Sequence, residues 1–563
     1  MLLILLSWIY ILFTCINYGF LLDKILRLKA KNFVIIAILG LFSTTIIANI
    51  WAIFGRINVE FHAAMLVGNL ILWAKCRSQI SFNYKNFFTE ITQLEKSLKV
   101  ALFLISIFIL AQCASIPYAI DNESYYIQTI KWINEYGFVK GLANIHIFLG
   151  QTSGWHITQS VFNFSFLYNR FNDISGFCLL FGNIFAIQKL NNYFKHHRKT
   201  DLIIGLFPLA NILLFQFIST PSPDLPVYVF TFIIFSYFLD NYDEMTTEVF
   251  HLISILVLFC LSIKPTTIGI TILPLFILLQ NFRQIKIYKI AAFSFLILGL
   301  FVAKNLIVTG YALFPMTQTF GFVADYQVPE KIAVLYYSWT KYFAYSVTEA
   351  QFNSMTNFEI FSRWLFMPKL HGIFNKISLF LVIFTPIIIY KFFRKTKFWV
   401  LYFAMLLQLL LLFLSSPQYR FFLNFILFFS LIWFGILIDR KKIILVSLYA
   451  SMIFVGIVLF IPIHLKNIAR NTHAVESSTF SFKNVIFPYS NSKYNTGFEL
   501  ITQEKFFYNS PTEIDFFWGT GNGKLPCVNK IQIDYFEKNY AVKPQMRSTH
   551  LKDGFYAKDT STE

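Results

Sequence analysis

Long apolar stretches separated by short polar loops dominate the first 463 residues of the chain. Backbone polar groups cannot stay unpaired in hydrocarbon, so stretches of this kind are expected to be helices when they cross a membrane. A crossing needs roughly 17–25 residues, and several stretches are short or interrupted, so the pattern predicts about 12–14 transmembrane helices. The fourteen apolar stretches start near residues 1, 33, 61, 100, 173, 201, 226, 249, 266, 290, 376, 398, 421 and 443.

The pattern divides the chain into a membrane domain, 1–463, and a polar C-terminal segment, 464–563. Within the membrane domain two loops are long, 119–172 and 310–375, and both are rich in Tyr, Trp and Phe. Aromatic rings of this kind are favoured at the level of the lipid headgroups. We therefore expect an all-α polytopic membrane protein with two large external loops and a small external C-terminal segment.

A short helix is predicted inside the first long loop. Tyr126, Ile130 and Ile133 recur at a spacing that places them on one helix face. The spacing predicts an amphipathic helix lying in the plane of the membrane interface. Residues 158–168 are a second candidate of the same kind.

Composition supports the membrane class. Hydrophobic residues make up 56% of the 563 residues and charged residues only 13%, whereas soluble domains carry about 25% charged residues. The net charge of +18 is explained by topology, so we expect no nucleic-acid partner. Lys and Arg concentrate in alternate loops, which places those loops inside the cell and the N-terminus outside. The basic loops are 24–31, 75–99, 189–199, 283–289, 391–397 and 440–442.

One loop does not fit this topology well. Loop 240–248, "DNYDEMTTE", falls on the inside by the alternation of helices but contains no Lys or Arg.

An acidic cluster lies where the chain leaves the fourth apolar stretch, in "DNESYY" (121–126). Asp121 and Glu123 are candidate catalytic residues, because a carboxylate at an external cavity can accept a proton from an attacking hydroxyl. A structural alternative is equally specific: Asp121 has the residue type and position of the N-cap of the predicted interfacial helix. The residues alone leave both interpretations open.

Two more charged residues occupy turns on the predicted external side. Asp224 lies in the proline-rich turn "STPSPDLPVYV", and Lys264 precedes a helix-breaking proline in "LSIKPTTIG". Asp224 is explained either as a solvated turn residue or as part of a site with Asp121. Lys264 is explained either by snorkelling to the interface or by contact with a phosphate.

Arg420 and His146 complete the candidate substrate-binding residues. Arg420, in "SSPQYRFF", lies at the external start of a helix, against the positive-inside trend. Its guanidinium offers a planar fork of donors that suits phosphate oxygens, although interfacial anchoring is the common role of such an arginine. His146 and His156 flank "IFLGQTSGW" at a spacing that does not indicate a metal site.

These features together resemble the GT-C class of membrane glycosyltransferases: an acidic motif after an early helix, a long first external loop, many helices and an external C-terminal segment. The stretches "DNESYYIQTIKWINEYGFVKGLANIH", "SPSPDLP", "TGYALFP" and "SPQYRFF" also resemble a bacterial family of multi-pass proteins of unassigned activity from cell-surface polysaccharide loci. The resemblance spans roughly residues 100–440.

The resemblance implies an enzyme of the bacterial inner membrane that uses a polyprenyl-phosphate-linked sugar donor. A glycan or lipid would be the acceptor. Asp121 matches the acidic position of the class, with Glu123 as the fallback, and Arg420 would contact the lipid phosphate. Some members use a divalent metal; no ligand set in this sequence demands one.

Three rival functions stay open. A flippase of lipid-linked oligosaccharide would need polar residues near the bilayer midplane, for which Lys304 is one candidate. An enzyme similar to O-antigen polymerases would fit the second long loop with Arg363. A non-catalytic membrane scaffold is the third.

Overall fold

The described part of the chain is mostly helical, and the apolar stretches fall in helical structure; the stretches near residues 201 and 266 are divided into short helices and 3₁₀ turns. Among the described residues, nine helices are long and apolar enough to cross a membrane by length and composition, and three further apolar helices are shorter. The protein is therefore a multi-pass membrane protein. The computed structural model describes residues 1–168, 174–318, 320–469, 473 and 476–561, so small parts of both long loops and of segment 464–563 lie outside the described residues.

In the ranges that the structure describes, twenty α-helices precede the C-terminal segment. They are α1 (Leu2–Leu26), α2 (Phe33–Phe54), α3 (Val59–Thr92), α4 (Lys96–Cys113), α5 (Ile127–Tyr136), α6 (Gly154–Val161), α7 (Ile174–His196), α8 (Lys199–Gly205), α9 (Asn211–Leu214), α10 (Asp224–Asp240), α11 (Thr247–Ile263), α12 (Ile272–Gln280), α13 (Tyr288–Thr309), α14 (Glu330–Phe343), α15 (Glu349–Ser354), α16 (Asn357–Leu365), α17 (Lys369–Ile388), α18 (Thr396–Leu414), α19 (Leu423–Leu437) and α20 (Lys441–Phe460).

Small residues bring α1 and α2 into close contact. A β-carbon on Gly40 would lie 1.8 Å from the carbonyl oxygen of Cys15, and one on Gly19 would lie 1.9 Å from that of Ile36. Helices in lipid gain stability from such close backbone packing, because burial of apolar surface gives little driving force there. A larger side chain at Gly40 would force the two helices apart.

The acidic loop 240–248 lies on the same end of the helix bundle as the basic loops. Asp240 pairs with Arg198 at 2.6 Å, and Glu248 pairs with Lys29 at 2.6 Å. The loop is thus neutralised by its basic neighbours, which accounts for its lack of Lys and Arg. We call this end of the bundle the basic face; its assignment to the inside of the cell stays a prediction.

The C-terminal segment folds as a small cap on the opposite face. It contains two antiparallel ribbons and a single α-helix among its described residues, so the chain is not purely helical. These elements are β1 (Phe498–Gln503) paired with β2 (Phe506–Pro511), α21 (Lys530–Tyr540), and β3 (Val542–Met546) paired with β4 (Phe555–Asp559).

The cap changes the role of the predicted interfacial helix. The helix exists as α5, preceded by a π-helical turn over Asn122–Tyr126. Seven of its ten residues are buried, including the polar Gln128, Thr129 and Asn134, because the cap covers part of its polar face; Glu135 stays exposed. Gln128 donates hydrogen bonds to the carbonyl oxygens of Gly521 and Gly523, and Lys131 donates to that of Gly523 at 2.9 Å.

The second interfacial helix, predicted at 158–168, is also corrected. The helix is α6, which begins at Gly154 and ends at Val161, and every residue in it is buried. It packs against α2 and α5 instead of facing lipid.

Candidate functional site

Four helix ends bring the predicted charges together on the face that carries the cap. Asp121 lies after the end of α4, and Asp224 is the first residue of α10. Lys264 directly follows α11, and Arg420 lies three residues before α19. Each charge therefore emerges where a membrane helix begins or ends. We call these four residues the charge cluster.

Asp121 pairs with Arg420 across 299 residues of chain. The Arg420 Nη1 donates to the Asp121 Oδ2 at 2.9 Å. The side chain of Asp121 is 28% exposed and that of Arg420 is 36% exposed, so the pair can be reached from solvent. Asp121 makes no capping hydrogen bond to the following helical turn. The N-cap interpretation is therefore wrong, and the carboxylate faces a cation instead.

Asp224 pairs with Lys264 in a more buried position. The Lys264 Nζ donates to the Asp224 Oδ1, and these side chains are only 15% and 5% exposed, respectively. The ring of Phe421 joins this pair to the first one. Its centroid lies 4.1 Å from the Lys264 Nζ and 5.1 Å from the Arg420 Cζ, within the range of cation–π attraction. One aromatic ring thus lies beside two cations, each of which is paired with a carboxylate.

Further contacts fix the position of Arg420. Its Nε donates to the Gln418 Oε1 at 3.2 Å, and its carbonyl oxygen accepts a hydrogen bond from the Tyr228 hydroxyl at 2.6 Å. Burial disfavours the charge of Arg420, but the Asp121 carboxylate outweighs it and raises the pKa of the guanidinium. Arg420 is accordingly a permanent cation whose orientation is set before any ligand arrives.

Three buried tyrosines line the charge cluster. Tyr125 and Tyr126 directly follow the acidic motif, and Tyr336 comes from α14 in the second long loop. Burial raises the pKa of all three hydroxyls; the Asp121 carboxylate adds to the shift and the Arg420 guanidinium opposes it, so the hydroxyls are neutral near pH 7. The pair "YY" beside the acidic motif was visible in the sequence, whereas nothing local marked Tyr336.

A family model described as a domain of unknown function (DUF8201) matches residues 1–427. The chain belongs to the DUF8201 family. The matched region contains all four residues of the charge cluster, whereas the cap lies beyond it. No curated protein and no solved structure matches the chain.

Glu123 of this DUF8201 protein holds the cap rather than facing the charge cluster. Its carboxylate is fully buried and accepts hydrogen bonds from the Ser492 hydroxyl at 2.5 Å and the Lys493 backbone N–H at 2.9 Å. Its carbonyl oxygen accepts from the N–H groups of Thr520 and Gly521. Burial raises the pKa of Glu123, with these hydrogen bonds opposing the shift. The contacts give it a structural role.

His146 is likewise engaged with the cap. It is buried, and its Nε2 lies 3.3 Å from the carbonyl oxygen of Trp518. Its Nδ1 accepts from the N–H of Phe148 at 3.3 Å. Burial lowers the pKa of His146 to about 4, so the ring is neutral near pH 7. It orders the first loop and the cap, and no ligand is needed to explain its position.

The arrangement can do two things chemically. A partly exposed carboxylate can accept a proton, and a guanidinium and an ammonium beside it can hold an anion such as phosphate. Among the described residues, no three His, Cys, Asp or Glu side chains come together as they would around a metal ion. The cluster therefore offers acid–base and anion chemistry at a membrane surface.

Proposed function

We propose that this DUF8201 protein is a membrane glycosyltransferase similar to the GT-C class. It would transfer a sugar from a polyprenyl-phosphate-linked donor to a glycan or lipid acceptor, in assembly of surface glycan at the bacterial inner membrane. The observation that supports this proposal is the partly exposed pair of Asp121 and Arg420, 2.9 Å apart, at the mouth of the helix bundle. A base and a phosphate-binding group are then present side by side, at the level of a lipid headgroup.

The transfer would proceed in one displacement. Asp121 accepts the proton of the acceptor hydroxyl, whose oxygen attacks the anomeric carbon of the donor sugar. The bond between that carbon and the phosphate oxygen breaks, and polyprenyl phosphate leaves with the electron pair. Arg420 stabilises the negative charge on the leaving phosphate, which is often the largest catalytic contribution. Lys264, which is paired with Asp224, adds a second positive charge beside the Phe421 ring.

The ion pair also suggests how the base is released. Arg420 is bound to Asp121 before the donor arrives, so the donor phosphate must compete with the carboxylate for the guanidinium. A bidentate contact with phosphate matches the geometry of arginine better than its single contact with Asp121. Binding of the donor would then free Asp121 for the acceptor hydroxyl. Donor binding and activation of the base would be coupled through one side chain.

The proposal is tested with Asp121→Asn in cells and in proteoliposomes. Loss of a general base lowers turnover by about 10²–10⁴-fold, so we expect no surface glycan and no release of polyprenyl phosphate from the sugar-linked donor. Glu123→Gln is the matched control, because it alters the neighbouring carboxyl group, which holds the cap. Unchanged glycan in cells that carry Asp121→Asn would refute the role of the base. Accumulation of lipid-linked precursor on the inner leaflet would favour a flippase.

A further inference from the structure

The short helix α16 in the second long loop has two exposed flanks of opposite character. One flank carries Phe358, which is 78% exposed, and Phe361. The other carries the exposed residues Glu359 and Arg363. At about 100° per residue these two flanks lie about 150° apart, and the buried Trp364 lies between them on the third side. A loop helix surrounded by water would be polar on both exposed flanks.

The inner side of α16 is fixed to the end of a membrane helix. The Trp364 Nε1 donates to the carbonyl oxygen of Pro417 at 2.9 Å, and its ring lies 4.8 Å from that of Phe413 near the end of α18. The Phe361 ring lies 6.3 Å from the same Phe413. Leu414, the last residue of α18, is 67% exposed. The apolar flank of α16 is therefore continuous with the exposed apolar surface of a membrane helix.

Lys376 indicates the level of the lipid headgroups beside α16. It is exposed on α17, seven residues after that helix begins, which is about 10 Å along its axis. Ile373 and Phe380 lie on the same helix face and are exposed. A lysine on such an apolar face extends its ammonium toward the headgroups. The Lys376 Nζ lies 5.3 Å from the ring centroid of Phe366, so the residue that directly follows α16 lies near headgroup level.

We propose that α16 lies in the plane of the membrane, in the leaflet on the cap side, with its phenylalanines among the lipids. Phe358, Phe361 and the following Phe366 would enter the boundary between headgroups and acyl chains. Glu359 and Arg363 would face water. Burial of the exposed rings in lipid is favourable by about 25 cal/mol per Å² of apolar surface. The interface helices expected in the first long loop are buried, so α16 takes the position that they were expected to have.

The proposal is independent of the proposed glycosyltransferase activity, because no residue of the charge cluster takes part in it. Its test measures which medium surrounds a nitroxide spin label on each flank of α16. The six cysteines of the chain are buried, so a label can be directed to one new, exposed cysteine in the full-length protein. The variants are Phe358→Cys and Phe366→Cys, with Arg363→Cys on the polar flank as the matched control. Labelling of the unsubstituted protein measures the background.

Each labelled variant is placed in phosphatidylcholine liposomes for power-saturation spectroscopy. Collisions with oxygen, which dissolves in the acyl chains, are compared with collisions with a water-soluble nickel chelate. We expect the labels of Phe358→Cys and Phe366→Cys to lie about 5–10 Å into the boundary between headgroups and acyl chains. The label of Arg363→Cys should collide mainly with the nickel chelate. All three positions are exposed, so the variants should elute as monodisperse, folded protein.

Three results would overturn the proposal. If the labels on the apolar flank meet the nickel chelate as often as that of Arg363→Cys does, the whole helix lies in water. If neither reagent reaches the apolar flank, another protein chain covers it instead of lipid. If the label of Arg363→Cys meets oxygen as often as the other two labels do, the helix is submerged in the acyl chains and does not lie at their boundary with water.

Discussion

Substitution of Asp121 by Asn should strengthen the binding of polyprenyl phosphate while it abolishes turnover. The Asp121 carboxylate occupies Arg420 at 2.9 Å before any ligand binds. The bare attraction over this distance is about 6 kcal/mol at an effective dielectric constant of about 20. Since the side chains of this pair are about a third exposed, water and salt screen most of this attraction, and exposed pairs contribute about 0.2–1 kcal/mol when measured. We therefore take about 1 kcal/mol as the free energy that a phosphate must overcome.

Removing the competition should tighten binding about fivefold, because every 1.4 kcal/mol corresponds to a factor of ten. The assay is titration of the detergent-solubilised protein with a polyprenyl monophosphate, followed by thermophoresis of a labelled chain. Arg420→Gln should weaken binding, and Glu123→Gln should leave it unchanged. If Asp121→Asn binds the lipid as the wild type does, or more weakly, the carboxylate does not compete for Arg420. The proposed release of the base would then be wrong.

Three further predictions concern the folded state. Asp224→Asn should lower the free energy of unfolding by about 3–5 kcal/mol in thermal unfolding, because it leaves the buried Lys264 charge unpaired. The double variant Asp224→Asn/Lys264→Gln should recover most of the lost free energy. Lys29→Ala, at an exposed ion pair, should change the free energy of unfolding by less than about 1 kcal/mol. Glu123→Ala should increase hydrogen exchange of the cap amides, because it removes the hydrogen bonds to Ser492 and Lys493. Glu123→Gln should not, because its amide can accept from the Lys493 N–H and donate to the Ser492 hydroxyl; equal exchange in both variants would contradict the role of Glu123. The pKa of His146 is lowered to about 4 in the folded protein. As the pH drops from about 6.5 toward 4, the unfolded chain therefore binds a proton at this residue before the folded protein does, and the free energy of unfolding falls. His146→Gln should reduce that fall by about 3 kcal/mol at most.

Hydropathy predicted the helices well, because a segment that crosses lipid has to be apolar and hydrogen-bonded within itself. The short stretches near residues 226 and 266 fall in helices α10 and α12 with the 3₁₀ turn before it. The places of the charged residues along the chain also indicated which of them could share the candidate site. A charged residue at the end of a membrane helix can reach only groups at the same end, and this restricted the partners of Asp121 to a few residues.

Burial of α5 could not be predicted from its own pattern. An apolar stripe opposite Gln128 and Lys131 fits a helix in the membrane interface equally well, and only the cap, some 390 residues further along, shows that the polar face is covered. The different roles of Asp121 and Glu123 could not be predicted for the same reason. They are two residues apart, but one carboxylate reaches Arg420 and the other reaches Ser492.

A structure with a polyprenyl monophosphate bound would decide whether the charge cluster recognises the donor phosphate. We expect the lipid phosphate in contact with the Arg420 guanidinium, the Asp121 carboxylate released from it and open to solvent, and Glu123 still bound by the cap. If the phosphate binds elsewhere while Asp121 and Arg420 stay paired, the proposed role of this ion pair is wrong.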